Sequence, residues 1–234
     1  MNKKLTLKNA NIAIEDGNIT IEFDENDLIE ETSDICTSND NNQVKLRELK
    51  PGDEFYIGSS VYVVVDHIDD TTKVISKKIA HIMAFNYENC CNDYYTSDIH
   101  KRLNNYDYSY MINHVGKDNI VPTQCDMGAI DGSGSHGTSE ENITILSLNE
   151  YCKYYDILHA IPNFTSQPQW LSNPVSMISK AKAFVCAIDR DGLIEYINSS
   201  VQDVGVRQFF TLKSSTEVKP CELKAYGDNN AETN

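Results

Sequence analysis

Hydrophobic and polar positions along this chain follow a two-residue period more often than a helical one. Ile12 and Ile14, then Asp16-Gly17, then Ile19, Ile21 and Phe23 alternate with polar neighbours. Successive strand side chains face opposite ways, and Asp-Gly supplies the positive φ of a tight turn, so this pattern predicts a β-hairpin. The run Val61–Ile68 (VYVVVDHI) is rich in β-branched residues and predicts a strand, turning at 69–72 into Lys73–Ser76 and then Ile79–Phe85. The clearest hairpin comes later, where Phe184–Ile188 and Leu193–Ile197 flank Asp189-Arg-Asp-Gly192. Val204–Leu212 reads as one further strand with Arg207 inside it. A charge there is costly unless a carboxylate or several carbonyls receive it.

Helical spacing appears in two places. Thr96-Ser97 offers an N-cap ahead of Ile99 and Leu103, four apart on one face, and the helix can continue from Tyr106 through Val115 to Gly116. Ser147-Leu-Asn-Glu150 is a capping box opening a helix through Tyr151, Tyr155 and Leu158. A strand near 120–124 lies between them, followed by a Gly/Ser-rich surface loop from Asp126 to Asn142. Composition then divides the chain into four parts. Residues 1–23 form a β-hairpin arm, 24–43 an acidic flexible linker, 44–215 an α+β domain, and 216–234 a polar tail. An isolated hairpin is marginal in water, so the arm must dock either on its own domain or on another chain.

Charge narrows the partners. The net charge is −15, and residues 1–43 hold ten acids against three bases. Such a field repels a phosphate backbone, which argues against nucleic acid, and against membrane headgroups likewise. The basic start, Met1-Asn-Lys-Lys, meets Asn9, Asn11, Glu15 and Asp16 instead of an apolar stretch, so neither a secretory signal nor a membrane span is expected. Seven scattered cysteines, including adjacent Cys90-Cys91, show no pairing rhythm and read as reduced thiols. Six histidines show no zinc spacing. The 128–137 loop lacks the lysine of a phosphate cradle and the Gly-x-Ser-x-Gly of a nucleophile elbow. No metal, cofactor or catalytic residue is assigned. Thirteen tyrosines, clustered in part at Tyr106, Tyr108 and Tyr110, suit either a mixed core and rim or a contact surface.

Trp170-Leu171, Asp191-Gly192 and Gly205-Val206-Arg207, in that order, carry a resemblance. They resemble an uncharacterised domain family of bacteria and phages whose signature is Trp-Trp-Leu-Arg-Ser followed by Gly-Val-Arg-Pro. Ser172 and Gln208 depart from it, standing where the signature has arginine and proline. The likeness runs over roughly residues 46–212. It implies a C-type-lectin-like α+β fold, similar to formylglycine-generating enzymes, with antiparallel strands and two or three helices. Fold likeness implies no chemistry. The seven signature residues are expected in the core.

The layout of arm, tether and domain leads to one expectation. This is a non-catalytic structural or binding protein, a phage virion component such as a capsid decoration, head fibre or tail-associated protein. It is assembled in the bacterial cytoplasm. Ile12, Ile14, Ile19 and Ile21 would anchor on other virion proteins or a second copy, and Tyr106, Tyr108 and Tyr110 would meet a partner, including cell-surface glycan. The alternatives are a cytoplasmic metal-dependent enzyme and a glycan-binding module of the same fold.

Overall fold

A computed structural model describes residues 43–88, 91–178 and 181–221, together with the backbone of four short strands within residues 6–29. The chain divides into two compact units, Met1–Asn41 and Asn42–Asn234. The first contains β1 (Thr6–Leu7), β2 (Asn11–Glu15), β3 (Asn18–Glu22) and β4 (Leu28–Ile29). β2 and β3 form the antiparallel pair that alternation predicts, with Ile12 opposite Ile21 and Ile14 opposite Ile19. The Asp16-Gly17 turn and Phe23 lie outside the described residues. β1 pairs with β4, which falls inside the stretch read as a flexible linker. Composition passes over so short a strand because backbone hydrogen bonds, not a burial pattern, define it.

The second unit is α+β, and its strands pair almost entirely antiparallel. It opens with β5 (Val44–Lys45), β6 (Glu54–Ile57), β7 (Ser60–Ile68), β8 (Thr71–Ser76) and β9 (His81–Ile82). A helical stretch follows: α1 (Asp98–Arg102), a π-helical turn (Leu103–Asp107) and α2 (Tyr108–Val115). Next come β10 (Ile120–Val121), β11 (Thr123–Gly128), β12 (Ser135–Glu141), α3 (Leu148–Lys153) and α4 (Tyr155–Ala160). The rest is β13 (Gln169–Pro174), β14 (Phe184–Ile188), β15 (Ile194–Asn198), β16 (Gly205–Val206), β17 (Phe209–Lys213) and β18 (Glu217–Pro220). A seven-stranded sheet runs β10-β17-β8-β7-β6-β18-β5, and a five-stranded one β15-β14-β13-β16-β9.

The central strands are buried on both faces, which explains why their sequences read as apolar runs more than as alternation. In β7, Tyr62 and Val64 enter one hydrophobic cluster with Leu103 and Met111 of the first helical stretch, whereas Val63 and Val65 enter a second with Tyr151 and Leu158 of α3 and α4. β17 divides the same way, Phe210 to the first cluster and Phe209 to the second. So does β13, with Trp170 in one and Leu171 in the other. Each such buried side chain contributes about 1.5–3 kcal/mol relative to exposure.

Four expectations need correction. Val204–Leu212 is not one strand: β16 belongs to the five-stranded sheet and β17 to the seven-stranded one, with Arg207-Gln208 as the crossing. Residues 126–142 are not a surface loop but largely a hairpin, β11 against β12, whose Gly/Ser-rich second strand faces water and has nothing apolar to betray it. Residues 217–220 leave the polar tail and join the seven-stranded sheet, where one buried side chain, Val218, sits between exposed Glu217 and Lys219. A single apolar residue gives no period to read. From Ile79–Phe85, only His81–Ile82 pairs as strand.

Candidate functional site

The π turn builds the site. Ser97 caps α1, its hydroxyl accepting the His100 N–H at 3.0 Å, and the helix would carry on with ordinary spacing if the turn did not widen at 103–107. π-helical turns insert a residue into a helix and occur often where a side chain must be aimed at a site. Here the turn places Asp107 inward, 7% exposed, and Tyr106 outward, 66% exposed. Tyr110, four residues on, falls on the same side of the helix as Tyr106.

Asp107 is the hub of a polar chain that crosses from helix to sheet. Its Oδ2 accepts hydrogen bonds from His81 Nε2 at 2.7 Å and from Gln208 Nε2 at 2.5 Å. Because a carboxylate only accepts, the nitrogen of His81 facing it carries the proton. Arg102 Nε lies 3.6 Å from Oδ1. Gln208 Oε1 in turn accepts the Tyr62 hydroxyl at 2.8 Å, and the Gln208 backbone N–H donates to Ser76 Oγ at 3.0 Å. Burial, foremost, pushes the Tyr62 phenol well above its ordinary range, so it stays a donor.

These groups floor a cleft of about 600 Å³, within the ordinary size of a small-molecule site. Ser59, Ser60, Lys77, Lys78, Ile79, Tyr106 and Tyr110 help to line it. Lys77 is held by Glu54 at 2.6 Å. Among the described residues no carboxylate pairs with Lys78. The Arg102 guanidinium stands 5.1 Å from the centre of the Tyr106 ring, leaving much of that exposed ring open. The Tyr110 hydroxyl accepts the Ser59 N–H at 3.2 Å and donates to the Ile57 carbonyl at 3.3 Å, which fixes its ring as a wall. The cleft thus keeps a lysine unpaired among the described residues, in a protein of net charge −15.

The residues singled out in sequence fall in four places. Trp170, Leu171, Gly205 and Val206 come together in the five-stranded sheet, where Gln169 lies opposite Gly205 in the one parallel pairing described there. Trp170 packs edge-on to Phe85 at 5.6 Å and donates its indole N–H to the Met83 carbonyl at 2.9 Å. Gly205 is required by space: a Cβ there would stand 2.8 Å from Ile79 Cδ1 and 3.0 Å from the Pro168 carbonyl oxygen. Arg207, 3% exposed, has carbonyls and no carboxylate for partners. Its guanidinium donates to Ser76 O at 2.8 Å, Phe164 O at 3.1 Å, Gln169 Oε1 at 2.8 Å and Lys77 O, and stacks 4.6 Å from the Phe164 ring.

Asp191-Gly192 sits elsewhere, in the turn between β14 and β15, and Asp191 is exposed where the core was expected to hold it. Asp189 Oδ1 accepts the N–H groups of Asp191 and Leu193, both at 2.8 Å, so this carboxylate is spent on closing the turn. The tyrosine cluster divides: Tyr106 and Tyr110 line the cleft, while Tyr108 and Tyr110 pack against the first hydrophobic cluster. Tyr108 is half-buried and does not line the cleft, since two positions along a helix turn by about 200°. Ile12, Ile14, Ile19 and Ile21 lie in β2 and β3 of the first unit.

Sequence reasoning missed Asp107, His81, Arg102, Gln208 and Lys78, which no motif spacing unites. The one signal was that Gln208 breaks the Gly-Val-Arg-Pro signature at the residue that closes the network. Among the described residues no group of three or more His, Cys, Asp or Glu is arranged to hold a metal ion, and no helix is long and apolar enough to cross a membrane. Cys125 and Cys186 are buried, and burial, foremost, pushes both thiols up to about 12. Comparison of the chain with family models, with curated proteins and with solved structures finds no match. Fold and cleft together describe an α+β domain with a polar cleft lined in part by Lys78, unpaired among the described residues.

Proposed function

We propose that this chain is a non-catalytic binding protein of a phage particle, attached through its first unit and displaying the second as a lectin-like domain. The observation that carries the binding reading is that Asp107 Oδ2 is already engaged by two donors, His81 and Gln208. Its oxygens already face His81, Gln208 and Arg102, which suits a carboxylate that shapes a cleft better than one that takes a proton from substrate. Support for the lectin-like fold comes from the adjacency of the Trp170-Leu171 and Gly205-Val206 segments in one sheet, as the family resemblance implies. The attachment role is supported by the division of the chain, whose first unit pairs, among its described residues, in short two-stranded ladders that gain from docking on another surface.

Deletion of residues 1–41 tests this. The shortened chain should keep the fold of residues 42–234, read by near-ultraviolet circular dichroism, and should no longer copurify with particles. Undiminished incorporation of the shortened chain would overturn the attachment role.

A further inference from the structure

We infer that the cleft under the π turn takes a sugar ring bearing a single carboxylate, a uronic acid or a residue of like chemistry. This rests on the binding reading above and names its ligand. Charge comes first. Of the cations lining the cleft, Lys77 is neutralised by Glu54, and Arg102 gives only its Nε edge to Asp107. The rest of the Arg102 fork donates to no described residue, and Lys78 has no partner among them. One unspent positive charge and one free face of a guanidinium are what a lone carboxylate needs, since such charge-assisted bonds are stronger than neutral ones.

The shape of the rim points to the sugar ring. Tyr106 is the most exposed tyrosine among the described residues, and the part of its ring that Arg102 leaves open offers stiff, amphipathic area for the C–H face of a sugar. Ser59, Ser60 and the His81 ring add polar groups to the lining, able to donate to or accept from hydroxyls. A nucleoside polyphosphate fits worse. It brings several negative charges to a site with a single unspent cation, beside Asp107, on a chain of net charge −15. The network Tyr62–Gln208–Asp107–His81 fixes the floor before any ligand arrives, which limits the ordering cost of binding.

Isothermal titration calorimetry of the full chain with methyl glucuronide, methyl glucoside and inorganic phosphate tests the inference. The glucuronide should bind saturably, and at least about tenfold more tightly than either the neutral glucoside or phosphate. Lys78→Met should weaken the glucuronide about tenfold and leave the glucoside unchanged, and Tyr106→Ala should weaken both sugars. Both side chains are exposed, so the variants should fold, and unchanged circular dichroism would verify this. Equal binding of glucoside and glucuronide, tighter binding of phosphate, or no saturable binding of the glucuronide would each overturn the inference. None of these results bears on particle attachment, which the truncation decides separately.

Discussion

Replacing Arg207 with alanine should destabilise the protein by about 3–5 kcal/mol, and the reason lies in the acceptors it would leave behind. Four oxygens receive the guanidinium: the carbonyls of Ser76, Lys77 and Phe164, and Gln169 Oε1. The Phe164 carbonyl keeps a second donor, the Gln169 amide, and the Lys77 carbonyl is near enough to the surface to hydrate. That leaves the Ser76 carbonyl and Gln169 Oε1 buried and unpaired, at about 1–3 kcal/mol each. Loss of the Phe164 stacking adds about 0.5–2 kcal/mol. Against this stands relief of the buried charge. Burial pushes the Arg207 guanidinium down to about 10, so it is still charged at pH 7 and its own desolvation is a cost the native state carries. The relief trims the sum without cancelling it.

Urea titration followed by tryptophan fluorescence reads the effect, because Trp170 is the chain's single tryptophan and is buried in the sheet that Arg207 leaves. The midpoint should fall with the slope unchanged, and Tm should drop by about 6–20 °C for a domain of this size. Arg207→Lys keeps the charge but not the planar fork, and should fall between wild type and alanine. An alanine variant within about 0.5 kcal/mol of wild type, the usual scatter of an inconsequential surface change, would refute the reasoning.

Three further results are expected. Gly192→Ala forces a side chain onto a residue at φ 83°, with its Cβ 2.6 Å from His159 Cε1, and should cost about 1–3 kcal/mol in urea unfolding; an unchanged midpoint would mean that the turn and His159 yield freely. At Asp66, burial works to raise the carboxyl, but hydrogen bonds from Lys153 and Tyr154 outweigh it and hold the group below its ordinary value. A depressed folded pKa gives stability that is present above the unfolded Asp value of about 3.9 and disappears as pH falls through the lower folded one. Asp66→Asn should therefore lower stability at pH 7 and converge on wild type in acid, checked by thermal melts from pH 7 to pH 2. Asp107→Ala, which unties His81, Gln208 and Arg102 together, should abolish glucuronide binding in calorimetry while the fold persists, and full retention of binding would show that this floor does not shape the site.

Local features were legible in the residues themselves. The Asp-Gly hairpin of β14 and β15, the Ser97 cap and the Ser147–Glu150 capping box are short-range chemistry, written in residues no more than a few positions apart. The need of Arg207 for acceptors was equally plain, because the cost of a bare charge in an apolar run does not depend on the fold. Which acceptors answered it was a tertiary outcome: Ser76, Lys77, Phe164 and Gln169 are distant in sequence and meet only where the chain crosses between sheets. The same holds for the cleft. Asp107, His81, Arg102 and Gln208 share no spacing, and a π turn that no pattern announced aims the aspartate inward. β12 and β18 escaped notice because pairing satisfies their backbones without an apolar period. Contacts that close over many residues are set by the competition of whole elements for burial, and a single sequence read locally does not display it.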